Sequence, residues 1–572
     1  MRELGEIRVG VFVCHCGTNI GAVVDVPELV THARTLPHVF HAEANAYSCS
    51  EEGLSSLKQA ILEHRLNRVV VASCTPRTHE PLFKNACAEA GLNRYLFEFI
   101  NIREHCSWIH SQTSQAATEK AKRLVRMGVA KAFLLEPQEE TESAVIPVAL
   151  VIGGGIAGMT AAVNLARQGF RVHLVEKAER LGGVVAQLHR LCPTDEDASD
   201  LIEPIIRAVQ DDRAITVHMP ATVQEVGGYV GSFRATVATG DDRRTLDVGT
   251  IIVATGADVL LPIGLYGYGR FPNVLTQSEL EARLETEALR VGSAVFINCV
   301  GARTPERPYC SRVCCMTSLK NAAELRRRNP DARVYVLHRD MVTCGIEFER
   351  YYRRAMQMGV RFLRYDLDRP PQIVGGDDAE ATIVWDALRG REARVPSELV
   401  VLTTPLIPGL DNQSTSHLLK VPLGEAGFFL EAHIKLRPVE FATDGVFVCG
   451  TARWPADVAE SISQAYAACS KAAILMRAGS VTAEAITAFS DPDRCTGCGT
   501  CVPTCPYNAI ELHHRSPTPG LACSTMLQVA GVNPVQCKGC GSCVAACPNG
   551  AMQQRGFTDQ QMLRMLEVCA SG

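Results

Sequence analysis

Two sixteen-residue stretches near the C-terminus, CTGCGTCVPTCPYNAI from Cys495 and CKGCGSCVAACPNGAM from Cys537, dictate what that end of the chain must fold around. Nine of the sixteen positions are identical, so the pair is an internal duplication. Each reads C-x2-C-x2-C-x3-C-P, the spacing that wraps a four-iron cube with three thiolates and sends the fourth to a second cube. Cys495, Cys498 and Cys501 are therefore expected to share one [4Fe–4S] cluster with Cys547. Cys537, Cys540 and Cys543 are expected to share the other with Cys505. The interleaved glycines let backbone N–H groups approach the sulfurs, and each proline turns the chain away after the fourth thiol. Two structural zinc sites would need four ligands each and would leave the x3-C-P ending unexplained.

Composition bounds the rest. With 572 residues there is room for three or four domains. A net charge of −5 and 21% charged residues argue against a nucleic-acid surface or a polybasic membrane face. Cysteine is the outlier, at 24. The N-terminus MRELGEIRVGVFVCHCG lacks a signal-peptide layout, so the thiols point to metal rather than disulfides, in a cytoplasmic protein. The one long apolar window, Pro147 to Ala166, passes a hydropathy filter, but its glycines mark a strand–turn–helix unit and no membrane span is expected.

That window opens VALVIGGGIAGMTAAVNLARQGFRVHLVEKAERLGG, from Val148. A strand runs into Gly153, Gly155 and Gly158 at GxGxxG spacing, a helix follows, and a second strand ends near Glu176 and Lys177. The glycines allow a tight turn and let a pyrophosphate rest on the helix N-terminus, while Glu176 is placed for a ribose. Gly182 and Gly183 of ERLGG, the turn Ala254-Thr255-Gly256 after TIIV, and the late strand–turn–helix around Gly450 and Thr451 favour FAD over NAD. A plain nicotinamide domain is the alternative. The set resembles two-dinucleotide-binding-domain flavoproteins of the thioredoxin reductase type, in which a second nucleotide domain interrupts the first. Here the interrupting segment has the expected strand, helix and strand, but NCVGARTPERPYCSRVCCM (298–316) replaces its phosphate loop. Cys299, Cys310, Cys314 and Cys315 stand at a strand's carboxyl end and a helix N-terminus, where α/β sheets bind ligands and where thiolates are favoured. A cluster in place of the pyridine nucleotide is expected; inert buried thiols are the plain alternative. Lys320, on the same helix, is a candidate for tuning the flavin, with a solvated surface lysine as the alternative.

Over nearly its whole length the chain resembles the A subunit of heterodisulfide reductase, on the strength of CVGARTPERPYCSRVCC, the FAD fingerprint and the double ferredoxin. The resemblance implies a flavin that splits electron pairs between a high-potential and a low-potential acceptor, with a cluster at the four-cysteine motif. It further implies other subunits of that complex, a donor module (hydrogenase, formate dehydrogenase or NADH-linked), ferredoxin, and a homodimer inside a larger assembly. The family's inserted ferredoxin module is missing after ERLGG, where only Cys192 follows.

The first 135 residues alternate strands and helices, which suggests a small parallel sheet. Cys14, Cys16, Cys49, Cys74 and Cys106 each follow a strand, so they share one sheet edge. A further cluster on Cys14, Cys16, Cys49 and Cys74 is expected, with Cys106 able to replace one of them; a metal-free docking domain is the alternative. His15, His79 and His105 read as hydrogen-bonded loop residues. The expected architecture is a multidomain α/β flavoprotein: an N-terminal α/β domain (1–135), a thioredoxin-reductase-like FAD domain in two parts (145–288 and 369–482) around an insert (289–368), a two-cluster ferredoxin domain (486–556) and a tail (557–572). A bifurcating core is the leading function. Alternatives are a linear relay feeding a reductase or quinone-linked membrane complex, a disulfide enzyme, which lacks its C-x-x-C beside the flavin, and a scaffold with structural clusters.

Overall fold

The computed structural model describes residues 6–286, 289–515 and 527–570, and divides into two compact units. The domain limits expected at residues 1, 288 and 572 lie outside the described residues.

One unit joins residues 1–142 to 482–572. Its sheet is parallel, in the order Val39–Asn45, Val9–Cys14, Arg68–Ser73, Phe97–Asn101. The two central strands are buried along their whole length, as their runs VGVFVC and RVVVAS require of a sheet covered on both faces. The second half of the unit carries the duplicated repeats on two antiparallel ribbons, Ala488–Ser490 with Met552–Gln554 and Ile510–Arg515 with Leu527–Val532. The stretch expected as a tail is built into this unit. Helix Asp559–Ala570 packs on helix Ser114–Phe133, Gln561 donates to the Leu134 carbonyl at 2.9 Å, and the Lys131 ammonium lies 3.9 Å from the Phe557 ring.

The other unit, 143–481, contains two parallel five-stranded sheets. The first runs Val446–Val448, Thr250–Val253, Val148–Ile152, Arg171–Val175, Ile215–His218. The second runs Val274–Thr276, Leu399–Leu402, Ser293–Ile297, Arg333–His338, Arg361–Arg364. Each is accompanied by a three-stranded antiparallel meander, 222–248 and 372–396. The chain leaves the first domain and returns to it along one ribbon, Ala257–Val259 paired with Leu406–Pro408. The insert is thus wider than the expected 289–368. Val274–Thr276 and Leu399–Leu402 are three- and four-residue strands, too short to show a period, and only their pairing assigns them to the second sheet. Among the described residues no helix is long and apolar enough to cross a membrane.

Candidate functional site

The first sheet presents a cavity of 490 Å³ at its carboxyl edge. Strand Val148–Ile152 passes through Gly153 into helix Ile156–Arg167. At Gly153 φ is +112° and a methyl group would stand 2.3 Å from the Ala254 carbonyl oxygen; at Gly158 it would stand 1.9 Å from that of Gly153. Those two glycines hold the turn together. Gly155 differs: a methyl there meets only Gly183, at 4.0 Å, so this position faces the open cavity. Glu176 accepts the Gly154 N–H at 2.6 Å with one oxygen and the Ala178 N–H at 2.7 Å with the other. Lys177 is half exposed and paired with Asp411. Gly182 donates to the Gly154 carbonyl at 2.8 Å, and Gly183, Ala254, Thr255, Gly256 and Thr451 line the same space. Gly450 backs it, its N–H donating to Gln464 at 3.1 Å. The hydroxyls of Thr255 and Thr404 are buried in the cavity wall without a partner among the described residues. Orphaned hydroxyls, an open glycine and the free N–H groups of a helix N-terminus suit a dinucleotide with a pyrophosphate bridge. The residues present fit FAD.

Lys320 also lines this cavity, but it is not solvated: it is 3% exposed, ion-paired with the equally buried Glu281 and bonded to the Arg190 carbonyl at 2.7 Å. Glu281 lies 39 residues away in sequence, and no local pattern announces it. Asp457 is a further residue of the cavity wall. It caps helix Val458–Ala478 by accepting the Glu460 N–H at 2.8 Å, and the D-x-x-E helix start is the sequence signal that marks it. Cys192 faces the cavity too, its thiol pushed up to about 12 by burial. The loop holding it is latched to the second sheet's domain. Asp195 accepts from Tyr351 at 2.5 Å and from Arg354 at 2.8 Å, while Arg327 approaches it at 3.4 Å.

The structure brings the four cysteines of 298–316 together. Burial pushes the Cys299 thiol up to about 11, with the nearby Cys315 and Cys310 adding to it and Arg303 and Arg339 opposing. Cys314 is hydrogen-bonded to Cys315 and held well up by that bond and by burial, while Cys315 is drawn down. The Arg312 N–H donates toward the Cys310 sulfur at 3.4 Å. Cys299 takes a left-handed backbone, φ +63°, that turns it in from its strand. Cys314 is in the wall of the flavin cavity. Arg303 lies within the four-cysteine stretch itself, whereas Arg339 lies beyond it in sequence, and only the fold places its charge beside these thiols.

In the N-terminal sheet, Cys16 and Cys49 each lie within electrostatic reach of Cys14 and Cys74. Cys106 stands apart: it donates to the Ala117 carbonyl at 3.0 Å, inside the apolar core. In the duplicated repeats Cys501 is close to Cys495, Cys498 and Cys547, and Cys543 to Cys537, Cys505 and Cys540. A space of 20 Å³ is closed by the first of these sets. Backbone N–H groups of Ala530, Ala509 and Ala488 reach the sulfurs of Cys495, Cys505 and Cys537 at 3.3–3.4 Å. Among the described residues no three His, Cys, Asp or Glu side chains could hold a single metal ion. Thiols grouped in this way, several of them approached by backbone N–H donors, are the donor set that four-iron cubes take, and the residues present fit such clusters.

Residues 151–198 match the NAD(P)-binding Rossmann-like domain family, and residues 466–509 and 494–551 the 4Fe-4S dicluster domain family. An iron-sulfur A subunit of the CoB–CoM heterodisulfide reductase of Methanopyrus kandleri is 38% identical over 99% of this chain and 98% of its own. The A subunit of the H(2):CoB-CoM heterodisulfide,ferredoxin reductase of Methanothermobacter marburgensis is 36% identical over 89% and 91%. The iron-sulfur A subunit of the CoB–CoM heterodisulfide reductase of Methanocaldococcus jannaschii is 36% identical over 98% of both chains. The Methanopyrus alignment is 668 residues long against 572 here, so at least 96 of that relative's positions have no counterpart in this chain.

Proposed function

The chain belongs to the family of heterodisulfide reductase A subunits, and from that premise we propose that it is the bifurcating core of such a complex, dividing electrons from a donor module between ferredoxin and a high-potential acceptor. It is an oxidoreductase component with FAD and [4Fe–4S] clusters. The observation that carries the finer reading is the cysteine group standing where a nicotinamide phosphate loop would be, with Cys314 in the flavin cavity wall. FAD, when bound, supplies exchange between paired and single electrons, and the clusters supply one-electron transfer.

The chain's own residues do the rest. The Gly153–Gly158 turn and its helix N-terminus hold the pyrophosphate, Glu176 the ribose, and Thr255 and Thr404 donate their free hydroxyls. Lys320 and Glu281, both buried, form an ion pair in the cavity wall. Cys299, Cys310, Cys314 and Cys315 hold one cluster, Cys14, Cys16, Cys49 and Cys74 another, and the interleaved repeats two more.

Relatives named for hydrogen, formate, ferredoxin and the CoB–CoM heterodisulfide support a hydrogenase or formate dehydrogenase donor module and ferredoxin; the NADH-linked donor and the homodimer within a larger cytoplasmic complex rest on the family resemblance. One observation favours a linear relay instead: the positions of the Methanopyrus relative that this chain lacks. The test is ferredoxin reduction by the complete complex, with and without a high-potential acceptor. Ferredoxin reduction only when that acceptor is present supports bifurcation; equal reduction without it establishes the relay.

A further inference from the structure

Asn298 follows the strand Ser293–Ile297 and is fully buried, at 0% exposure. Its backbone is satisfied, the N–H donating to the Leu337 carbonyl at 2.8 Å and the carbonyl accepting the Tyr365 hydroxyl at 2.5 Å. Its side chain is not. Nδ2 points at two sulfurs, Cys315 Sγ at 3.8 Å and Met341 Sδ at 3.7 Å, while Oδ1 has no partner among the described residues. An unpartnered buried amide oxygen is destabilising, a cost that an apolar side chain of similar shape would avoid. A thiolate accepts and does not donate, so only the amide N–H₂ is suited to face Cys315.

We propose that Asn298 is a positioning residue for the central cluster: its amide donates to the Cys315 sulfur and raises the reduction potential of the four-iron group held by Cys299, Cys310, Cys314 and Cys315. This rests on the ligand assignment made above. Reduction adds negative charge to the group and its sulfurs, and a hydrogen bond to a charged acceptor is stronger than to a neutral one, so a fixed donor favours the reduced form. Arg303 and Arg339 also face these thiols, but Arg303 is paired with Asp340 at 2.8 Å and partly exposed, where water screens it. Asn298 acts from the dry side.

The experiment is an anaerobic redox titration followed by electron paramagnetic resonance, on the full chain with its cofactors, for the wild type, Asn298→Leu and Asn298→Asp, with iron and FAD counted in each. Expected are unchanged iron and FAD, unmoved C-terminal clusters, and a central cluster that is harder to reduce. At fixed potential its oxidised-to-reduced ratio rises about tenfold in Asn298→Leu, which is about 59 mV for one electron, and further in Asn298→Asp. A wild-type potential in Asn298→Leu, or in Asn298→Asp if the first variant loses its iron, overturns the proposal. Loss of about four iron from both variants with FAD retained makes Asn298 purely structural and overturns it as well. If Cys310→Ala keeps all its iron, the ligand assignment itself fails; an unmoved potential with intact iron removes only the role of Asn298.

Discussion

Two glycines three residues apart make the sharpest test of the flavin site, because alanine should harm them in opposite ways. At Gly158 the added methyl would sit 1.9 Å from the Gly153 carbonyl oxygen, a backbone atom that cannot swing aside. Relief requires moving the turn, at the roughly 1–3 kcal/mol typical of overpacking. Gly158→Ala therefore lowers the urea midpoint of the FAD-free protein. At Gly155 φ is −79° and ψ −176°, which alanine accepts, and the nearest atom is 4.0 Å away. Gly155→Ala leaves the stability of the FAD-free protein within about 0.5 kcal/mol of wild type. Its methyl instead occupies the place a pyrophosphate needs to reach the helix N-terminus. Losing one hydrogen bond to a charged group, about 1.5–3 kcal/mol, weakens FAD binding about 10- to 100-fold. Urea titration of FAD-stripped protein and flavin fluorescence titration measure the two effects separately. Wild-type FAD affinity in Gly155→Ala, or equal destabilisation by both variants, refutes the reasoning.

Four clusters predict about 16 iron per FAD, and Cys310→Ala should lose about four of them while keeping FAD, as counted by iron and acid-labile sulfide on anaerobic protein. Cys74→Ala should lose a similar share, whereas Cys106→Ala, whose thiol is bonded to Ala117 inside the core, should keep all its iron; the reverse pattern would sink the N-terminal assignment. His173 predicts a pH effect. Burial, helped by His218 and Arg171, depresses it from 6.5 to about 4, so between those values the unfolded chain binds the extra proton. Stability is then full above pH 6.5 and declines as pH falls towards 4, by about 1–2 kcal/mol once solvent screening of this half-buried group is allowed for. Urea midpoints at pH 7 and pH 5 should differ less in His173→Phe than in wild type; an unchanged difference would remove His173 as the cause.

Much of the site is legible in the sequence because its signals are local. The eight thiols of the repeats carry an expected grouping in their spacing, and the structure places Cys547 near Cys501 and Cys505 near Cys543, as that grouping requires. The GxGxxG turn is equally local, since a positive φ at Gly153 and close carbonyls at Gly153 and Gly158 leave those positions no substitute. The short strands Val274–Thr276 and Leu399–Leu402 are not legible, because three or four residues carry no period, and only hydrogen bonding to a distant neighbour makes them part of the second sheet.

Sequence by itself determined the kinds of chemistry present: where thiols cluster, where a phosphate can approach backbone, and where strands alternate with helices. Only the tertiary structure decided which groups meet. It paired Lys320 with Glu281 in a dry wall, folded Cys106 into the core away from the other N-terminal thiols, and set the Asn298 amide against Cys315. The reason is physical. Spacing along the chain fixes backbone conformation and periodicity over a few residues, whereas burial, charge pairing and hydrogen-bond satisfaction are set by neighbours that only the packed sheets bring within reach.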